Sequence, residues 1–353
     1  MMKLIETRQG IPSMSETSDL INVLVCMDFS DEHLEILRAV SDRLNVQRIF
    51  PDVPASAYQD VEVLYTLRNY PETAEQAPNL KWIQLHFAGL DSIINRPIAQ
   101  NPDIEITSAS GIHAVPIAEY CMSMLLAWEY QLPLALEHQK QALWVEKPHD
   151  VYRPKTLRGQ TLGIVGYGSI ARELARLADQ FGMKVLATKR DLLRSLEDDG
   201  YIEAGTGDPS GEIPERFYPP EALNLMVKDC DYVVVTVPLT PDTHHMINAD
   251  VLSHMKSSAF LVNIARGAVV DEPALIKALK EKQIAGAGLD VFEQEPLPKD
   301  SPLWGLDNVI LTPHVSGNNT HYHDRATALF AENLRRYLEN QTLLNRLNRD
   351  LGY

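Results

Sequence analysis

Apolar and polar positions along the chain form a pattern that stops and then starts again. Residues 21–27, 61–66, 82–86 and 104–108 are short β-rich apolar runs separated by helical or loop stretches, as in a small parallel α/β domain. The series restarts at 161–165 and continues through 184–188, 232–236, 259–263, 287–290 and 309–311, about six strands, enough for a full doubly wound sheet. Between the two sets, residues 116–129 are apolar nearly all round, which predicts a crossover helix buried between two domains. Residues 322–340 carry Ala326, Leu329, Phe330, Leu334, Tyr337 and Leu338 at helical spacing. Such a stripe needs a partner surface, and the simplest arrangement returns this helix to the first domain. The expected division is therefore 1–122 with 315–353 as one domain built from both chain ends, and 123–314 as a second. The cleft between them is the expected site, at the carboxyl ends of parallel strands.

Composition narrows the function classes. A chain of 353 residues exceeds the usual single core, and 45% apolar with 23% charged residues is ordinary globular content. A net charge of -16 argues against a nucleic-acid partner, which would require clustered Lys and Arg. Cys26, Cys121 and Cys230 have neither metal nor redox spacing and cannot all pair, so a reducing cytoplasm is expected. Residues 1–20 lack the apolar core of a secretory signal and read as a flexible lead-in. The longest apolar stretch, 121–128, falls short of the roughly 20 residues a membrane span needs, so no membrane partner is expected. No period of a repeat protein and no metal-ligand spacing is present.

Two constellations carry chemistry. After the apolar run at 161–165, Gly166-Tyr167-Gly168-Ser169-Ile170-Ala171 reads as the turn into a helix over 170–181. The first glycine permits the tight bend, the second lets the backbone approach a pyrophosphate, and a small third residue lets helix and strand pack closely. Further on stand Arg266 in Asn263-Ile264-Ala265-Arg266-Gly267, Glu295 in Glu293-Gln294-Glu295-Pro296, and His314 in Thr312-Pro313-His314-Val315. A guanidinium that clamps a carboxylate, an imidazole, and an acid to orient it would suffice to protonate or deprotonate the oxygen of a 2-oxo or 2-hydroxy acid. Taken alone, Arg266 also reads as a surface ion-pair residue and His314 as one packing histidine among eleven. Spacing alone does not choose Glu295 over Glu293 or Asp290.

These contexts, with Ala88-Gly89-Leu90-Asp91, the stretch 111–119 containing His113, and Gly288-Leu289-Asp290-Val291, make the chain resemble the D-isomer-specific 2-hydroxyacid dehydrogenases over 61–348. The resemblance implies an α/β fold of two domains, a Rossmann doubly wound sheet for the cofactor and a smaller flavodoxin-like substrate domain. It implies Arg266 binding the substrate carboxylate with the backbone at Ala88 and Gly89, His314 as acid/base, Glu295 as its partner, and Asp290 holding the nicotinamide carboxamide. It places the rest of the cofactor site at Gly166, Gly168, Ser169, Ile170, Val237, Pro238, Thr243, Ala265 and Gly317. A homodimer is implied too, with residues 132–144 as the candidate arm.

The chain departs from the family pattern in two places. His113 stands where many members have Asn, and the acid expected about 20 residues past the glycine turn is absent, the strand ending in Ala187-Thr188-Lys189-Arg190. A carboxylate there would bond a ribose hydroxyl, whereas Lys189 and Arg190 would neutralise a 2′-phosphate, so NADP is expected ahead of NAD; the bland alternative is a solvated charge pair beside Asp191. The glycine- and proline-rich stretch 191–220 is long for a loop in such a fold, and reads equally as a cover for that phosphate, a subunit contact or a neutral excursion. A nucleotide-sensing protein on the same scaffold is the rival reading, and a formate or phosphite oxidoreductase a third. Substrate-lining candidates are His86, Phe87, His113, Trp144, Tyr322 and His323.

Overall fold

Buried strands alternating with helices give two separate, wholly parallel sheets in the computed structural model, which describes residues 20–90, 93–191 and 200–349. The lead-in over 1–19, Asp91, and residues 192–199 of the long loop lie outside them. The first unit runs β1 (Ile21–Cys26), α1 (Asp31–Arg38), β2 (Leu44–Arg48), β3 (Val63–Thr66), β4 (Trp82–Leu85), α2 (Pro97–Gln100) and β5 (Glu105–Thr107). Its strand order, β2-β1-β3-β4-β5, is the flavodoxin-like doubly wound order. Strands β3 and β4 are buried at every position, which is why they read as continuous apolar runs. Strand β2 escaped the sequence reading because it is an edge strand: only Leu44 and Val46 are buried, and Gln47 and Arg48 face solvent.

The second unit begins with α3 (Ala114–Glu129), α4 (Leu132–Lys140) and α5 (Pro148–Val151), then β6 (Thr161–Val165), α6 (Ser169–Gln180), β7 (Lys184–Thr188), β8 (Arg216–Tyr218), α7 (Leu223–Val227), β9 (Tyr232–Val235), α8 (Ala249–His254), β10 (Phe260–Asn263), α9 (Glu272–Lys280), β11 (Gly286–Leu289) and β12 (Val309–Leu311). The order β12-β11-β10-β9-β6-β7-β8 reverses between β6 and β9, the switch point at which open α/β sheets bind ligands. There are seven strands where about six were expected, because β8 is a three-residue edge strand with too short a pattern to register. Helix α3 differs in place as well. It lies over the second sheet: Trp128 stacks on Phe260 at 4.7 Å, Met124 meets Gly288, and the helix packs along α6, while Glu119 and Ser123 face solvent. Contact with sheet and helix at once needs a broad apolar face, and α3 runs unbroken through residues 122 and 123, where the domains were expected to part.

Helix α10 (Tyr322–Leu338) does return to the first unit. Phe330, Ala331 and Leu334 enter its core beside Val23, Val25, Tyr65 and Trp82, and the helix packs on α1. The β7–β8 connection makes a further link. In its described part it has neither helix nor strand, yet it crosses to the first unit, where Tyr201 N–H donates to Asn345 (3.0 Å) and Glu203 pairs with Arg325 of α10 (3.0 Å). It then lies along α6: Gly207 N–H donates to the buried Glu173 (2.6 Å), Tyr167 donates to the buried Asp208 (2.6 Å), and the Arg172 guanidinium reaches the Asp208 carbonyl.

Candidate active site and cofactor cradle

At the carboxyl end of β6 the chain turns through Gly166, whose φ of +92° is a backbone conformation that side chains resist, and a Cβ there would come within 2.7 Å of Val237 Cγ1. The Gly166 N–H is held by Thr188 Oγ1 (2.8 Å), tying the turn to the end of β7. Gly168 is exposed, a Cβ there would meet nothing, and no described side chain caps α6, so its first-turn amides at Ser169 and Ile170 have no capping acceptor. That is a cradle for an anion at a 12-residue helix N-terminus, and it fits a dinucleotide pyrophosphate. Around it stand Val237 and Pro238 after β9, with the Pro238 carbonyl accepting from Thr243 Oγ1 (2.6 Å), and Ala265 after β10. Half-buried Lys189 and exposed Arg190 follow β7 at the strand end adjoining the cradle, with the Lys189 ammonium 5.9 Å from the Phe217 ring centroid.

The three expected catalytic residues leave neighbouring strands on the same sheet edge. Asn263 shapes the Arg266 turn by accepting from Ala265 N–H (3.1 Å) and donating to the Arg266 carbonyl (3.0 Å). Gly267 is required by close approach: a Cβ there would lie 1.8 Å from the Phe292 carbonyl carbon, so the Arg266 turn sits directly on the segment leading to Glu295. Glu295 Oε1 accepts from Phe292 N–H (3.1 Å), and Oε2 meets His314 Nδ1 at 2.8 Å. Glu293 is engaged elsewhere, with His245 (2.9 Å) and the Glu272 amide (3.2 Å). The His314 and Glu295 side chains keep 49% and 35% of their exposure, so the pair opens to solvent.

His314 itself adopts a left-handed backbone, φ +53°, and sequence gave no sign of what holds it there. The device is Asp290, fully buried at the end of β11. Its carboxylate accepts from the Thr312 hydroxyl (2.6 Å) and from the Val315 and Ser316 amides (both 2.9 Å), while its carbonyl accepts from His314 N–H (2.8 Å). Thr312 also meets Tyr120 of α3 at 2.5 Å. Gly317 follows, set so close to the His113 ring that a Cβ on it would lie 3.1 Å away.

Across the cleft, Ala88 and Gly89 follow β4, and among the described residues neither of their amides meets an acceptor. Behind them is a cluster of imidazoles and tyrosines. Tyr65 OH lies 2.6 Å from His86 Nδ1, Tyr322 OH donates to the His86 carbonyl (2.8 Å), and His113 Nε2 lies 2.8 Å from Tyr322 OH. Burial, reinforced by His323 and His113, lowers the His86 pKa to about 3. Burial also lowers His113 to about 4; the Ala109 carbonyl opposes this, and the Arg266 and Arg325 guanidiniums add to it. Of the lining candidates, His86, His113, Tyr322 and His323 thus come together, His323 lying 5.3 Å from His86 between ring centroids. Trp144 does not join them, being 87% exposed beyond α4. Among the described residues no helix is long and apolar enough to cross a membrane.

A doubly wound sheet with an anion cradle at its switch point, joined to a flavodoxin-like unit across an acid–imidazole pair, defines a two-domain nicotinamide-dependent oxidoreductase. Residues 122–316 match the model of the D-isomer specific 2-hydroxyacid dehydrogenase NAD binding domain. A glyoxylate reductase of Korarchaeum cryptofilum is 35% identical over 303 residues, covering 83% of this chain and 84% of its own. Among solved structures, a D-isomer specific 2-hydroxyacid dehydrogenase family protein from Aeromonas salmonicida is 31% identical with a TM-score of 0.77, over 94% of this chain and 99% of that one. A D-isomer specific 2-hydroxyacid dehydrogenase from Xanthobacter autotrophicus, solved with NADPH and MES, is 28% identical with a TM-score of 0.76, over 95% and 100%. The chain belongs to the D-isomer specific 2-hydroxyacid dehydrogenases, and it is an NAD(P)-dependent enzyme of that family.

Proposed function

We propose that the chain reduces a 2-oxoacid to the D-2-hydroxyacid with NADPH, His314 giving the proton, Glu295 orienting it and Arg266 holding the carboxylate. The observation that carries this reading is the 2.8 Å contact of His314 Nδ1 with Glu295, on the sheet edge that also bears Arg266 and the anion cradle. With Nδ1 engaged by the carboxylate, Nε2 is the nitrogen left for the substrate oxygen. The Arg266 fork and the Ala88 and Gly89 amides fix the carboxylate, so one face of the carbonyl is presented. The bound nicotinamide supplies a hydride for C2, while the proton for its oxygen comes from His314. Asp290 acts by fixing the His314 loop, whatever its contact with the nicotinamide carboxamide.

The test is NADPH oxidation with glyoxylate, hydroxypyruvate and bulkier 2-oxoacids. Turnover with a D-2-hydroxyacid as product supports the reading, whereas tight cofactor binding without turnover of any of them supports a sensor. Lys189 and Arg190 at the cradle support NADPH over NADH by about ten- to a hundredfold in kcat/KM, the worth of one charged hydrogen bond. Lys189→Asp combined with Arg190→Ser should reverse the order, and equal kcat/KM for the two cofactors in the native chain would defeat it. We also read the chain as a cytoplasmic homodimer. Leu132 and Leu136, one turn apart on α4, and Leu143 and Trp144 beyond it are exposed apolar residues suited to a second copy, and light scattering checks the mass. Cys26, Cys121 and Cys230 are buried free thiols, as suits a reducing compartment.

A further inference from the structure

The two amides that face the substrate carboxylate in this reading sit on a loop with few ties of its own. His86 N–H is the last in register with the sheet, donating to Thr66 (2.9 Å). Beyond it a peptide plane can be fixed only through its carbonyl or its N–H, because each plane is rigid and turns as a unit. The 87–88 plane, which contains the Ala88 N–H, is held by the Ala109 amide donating to the Phe87 carbonyl (2.9 Å). The plane before it, 86–87, is held by a side chain from 236 residues away: Tyr322 OH donates to the His86 carbonyl at 2.8 Å.

The donor order of this contact is set by its neighbours. The single Tyr322 hydroxyl hydrogen goes to the His86 carbonyl, so the phenol oxygen offers only lone pairs to His113, and His113 Nε2 carries the hydrogen between them. The sequence His113 N–H to Tyr322 O–H to His86 C=O runs from the turn before α3, through the first residue of α10, to the substrate loop. It joins three segments that share no strand, and the His113 ring in turn faces Gly317, just past His314.

We propose that Tyr322 is a positioning residue for substrate binding: its hydroxyl fixes the 86–87 peptide and, with the Ala109–Phe87 bond that holds the next plane, sets the start of the loop that presents the Ala88 and Gly89 amides to the substrate carboxylate. It touches no reacting atom. This rests on the 2-oxoacid reading above and deepens it, since it assigns part of the ordering of the carboxylate-binding loop to one phenolic hydrogen bond beside the Ala109–Phe87 bond. Tyr65, on the opposite side of the same imidazole, bonds the His86 ring and not its carbonyl, and therefore serves as an internal control.

The experiment compares Tyr322→Phe and Tyr65→Phe with the native enzyme, measuring KM and kcat for glyoxylate with NADPH, NADPH affinity, and melting temperature. Each variant removes one hydroxyl from a packed ring in the same cluster, so a merely structural effect would appear in both. For Tyr322→Phe the expected result is a rise in KM of about tenfold, the worth of one hydrogen bond, with kcat within about threefold and NADPH affinity unchanged. Tyr65→Phe should leave KM within about twofold of native. An unchanged KM in Tyr322→Phe, or an equal rise in Tyr65→Phe, overturns the positioning role while leaving the enzyme assignment standing. No 2-oxoacid turnover by the native chain overturns the functional reading, and the role of Tyr322 with it.

Discussion

On one side of the cleft a half-exposed imidazole, His314, has a carboxylate on its Nδ1; on the other, His86 and His113 sit among tyrosines and, among the described residues, no carboxylate bonds either ring. The same side chain therefore does two kinds of work. Desolvation and neighbouring cations make protonation of His86 and His113 expensive, so both stay neutral at ordinary pH and act as fixed hydrogen-bonding pieces. His314 has solvent, an anion and a free ring nitrogen, which is what a group that must gain and lose a proton in each turnover requires. Histidine content alone would have ranked them equally. What separates them is the partner on the ring and access to water.

The sharpest break of that contrast is His314→Ala, expected to lower kcat by about 10²–10⁴-fold, the usual worth of a positioned acid, with NADPH affinity intact. Steady-state rates and cofactor titration check it, and near-native activity would remove His314 from the mechanism. Arg266→Lys should lower kcat/KM by about one to two decades, because a point-charge ammonium cannot form the forked pair of bonds to a carboxylate. Turnover of an aldehyde lacking the carboxylate should be far less affected, and that ratio is the quantity to measure. Glu295→Gln should lower kcat with NADPH affinity unchanged, since the carboxylate that holds His314 Nδ1 at 2.8 Å is replaced by an amide. Unchanged steady-state rates would pass the role to another acid.

The last effect concerns His86 and His113 and is one of stability. Both imidazoles are held below their ordinary value of 6.5, His86 at about 3 and His113 at about 4. The unfolded chain takes up protons on them below pH 6.5 that the folded chain refuses, so their contribution is complete above pH 6.5 and is lost as pH falls towards 4 and then 3. Melting temperature should fall across that window, and His113→Asn should flatten part of the fall, by on the order of 3 kcal/mol at its acid end. A variant curve parallel to the native one would show that His113 is not refusing protons.

Much of this was legible in the sequence because burial writes itself into short runs. Strands β6 and β7 fall where the apolar pattern puts them, since parallel strands covered on both faces are buried at all but their first position. The edge strands β2 and β8 were lost for the opposite reason, being half solvated or very short. At the site, Arg266, Glu295 and His314 were named from local contexts, but the grip of Asp290 on Val315 and Ser316, and that of Tyr322 on His86, join residues 25 to 236 positions apart. Pairing at such separations has no periodicity. The Thr312-to-Ser316 run offered a faint signal, two hydroxyl residues flanking the histidine, without saying which acid they serve.

The described part of the β7–β8 connection acts as a mechanical joint. The chain passes between the two units at the start of α3 and again before α10, and two attachments leave a pair of bodies free to turn about the line between them. Tyr201 on Asn345 and Glu203 on Arg325 add a third attachment, anchored on the other side by Asp208 and Gly207 against α6. A linkage with three supports is stiffer than one with two. The angle between the substrate and dinucleotide units is thereby braced by a segment that leaves β7 directly after Lys189 and Arg190.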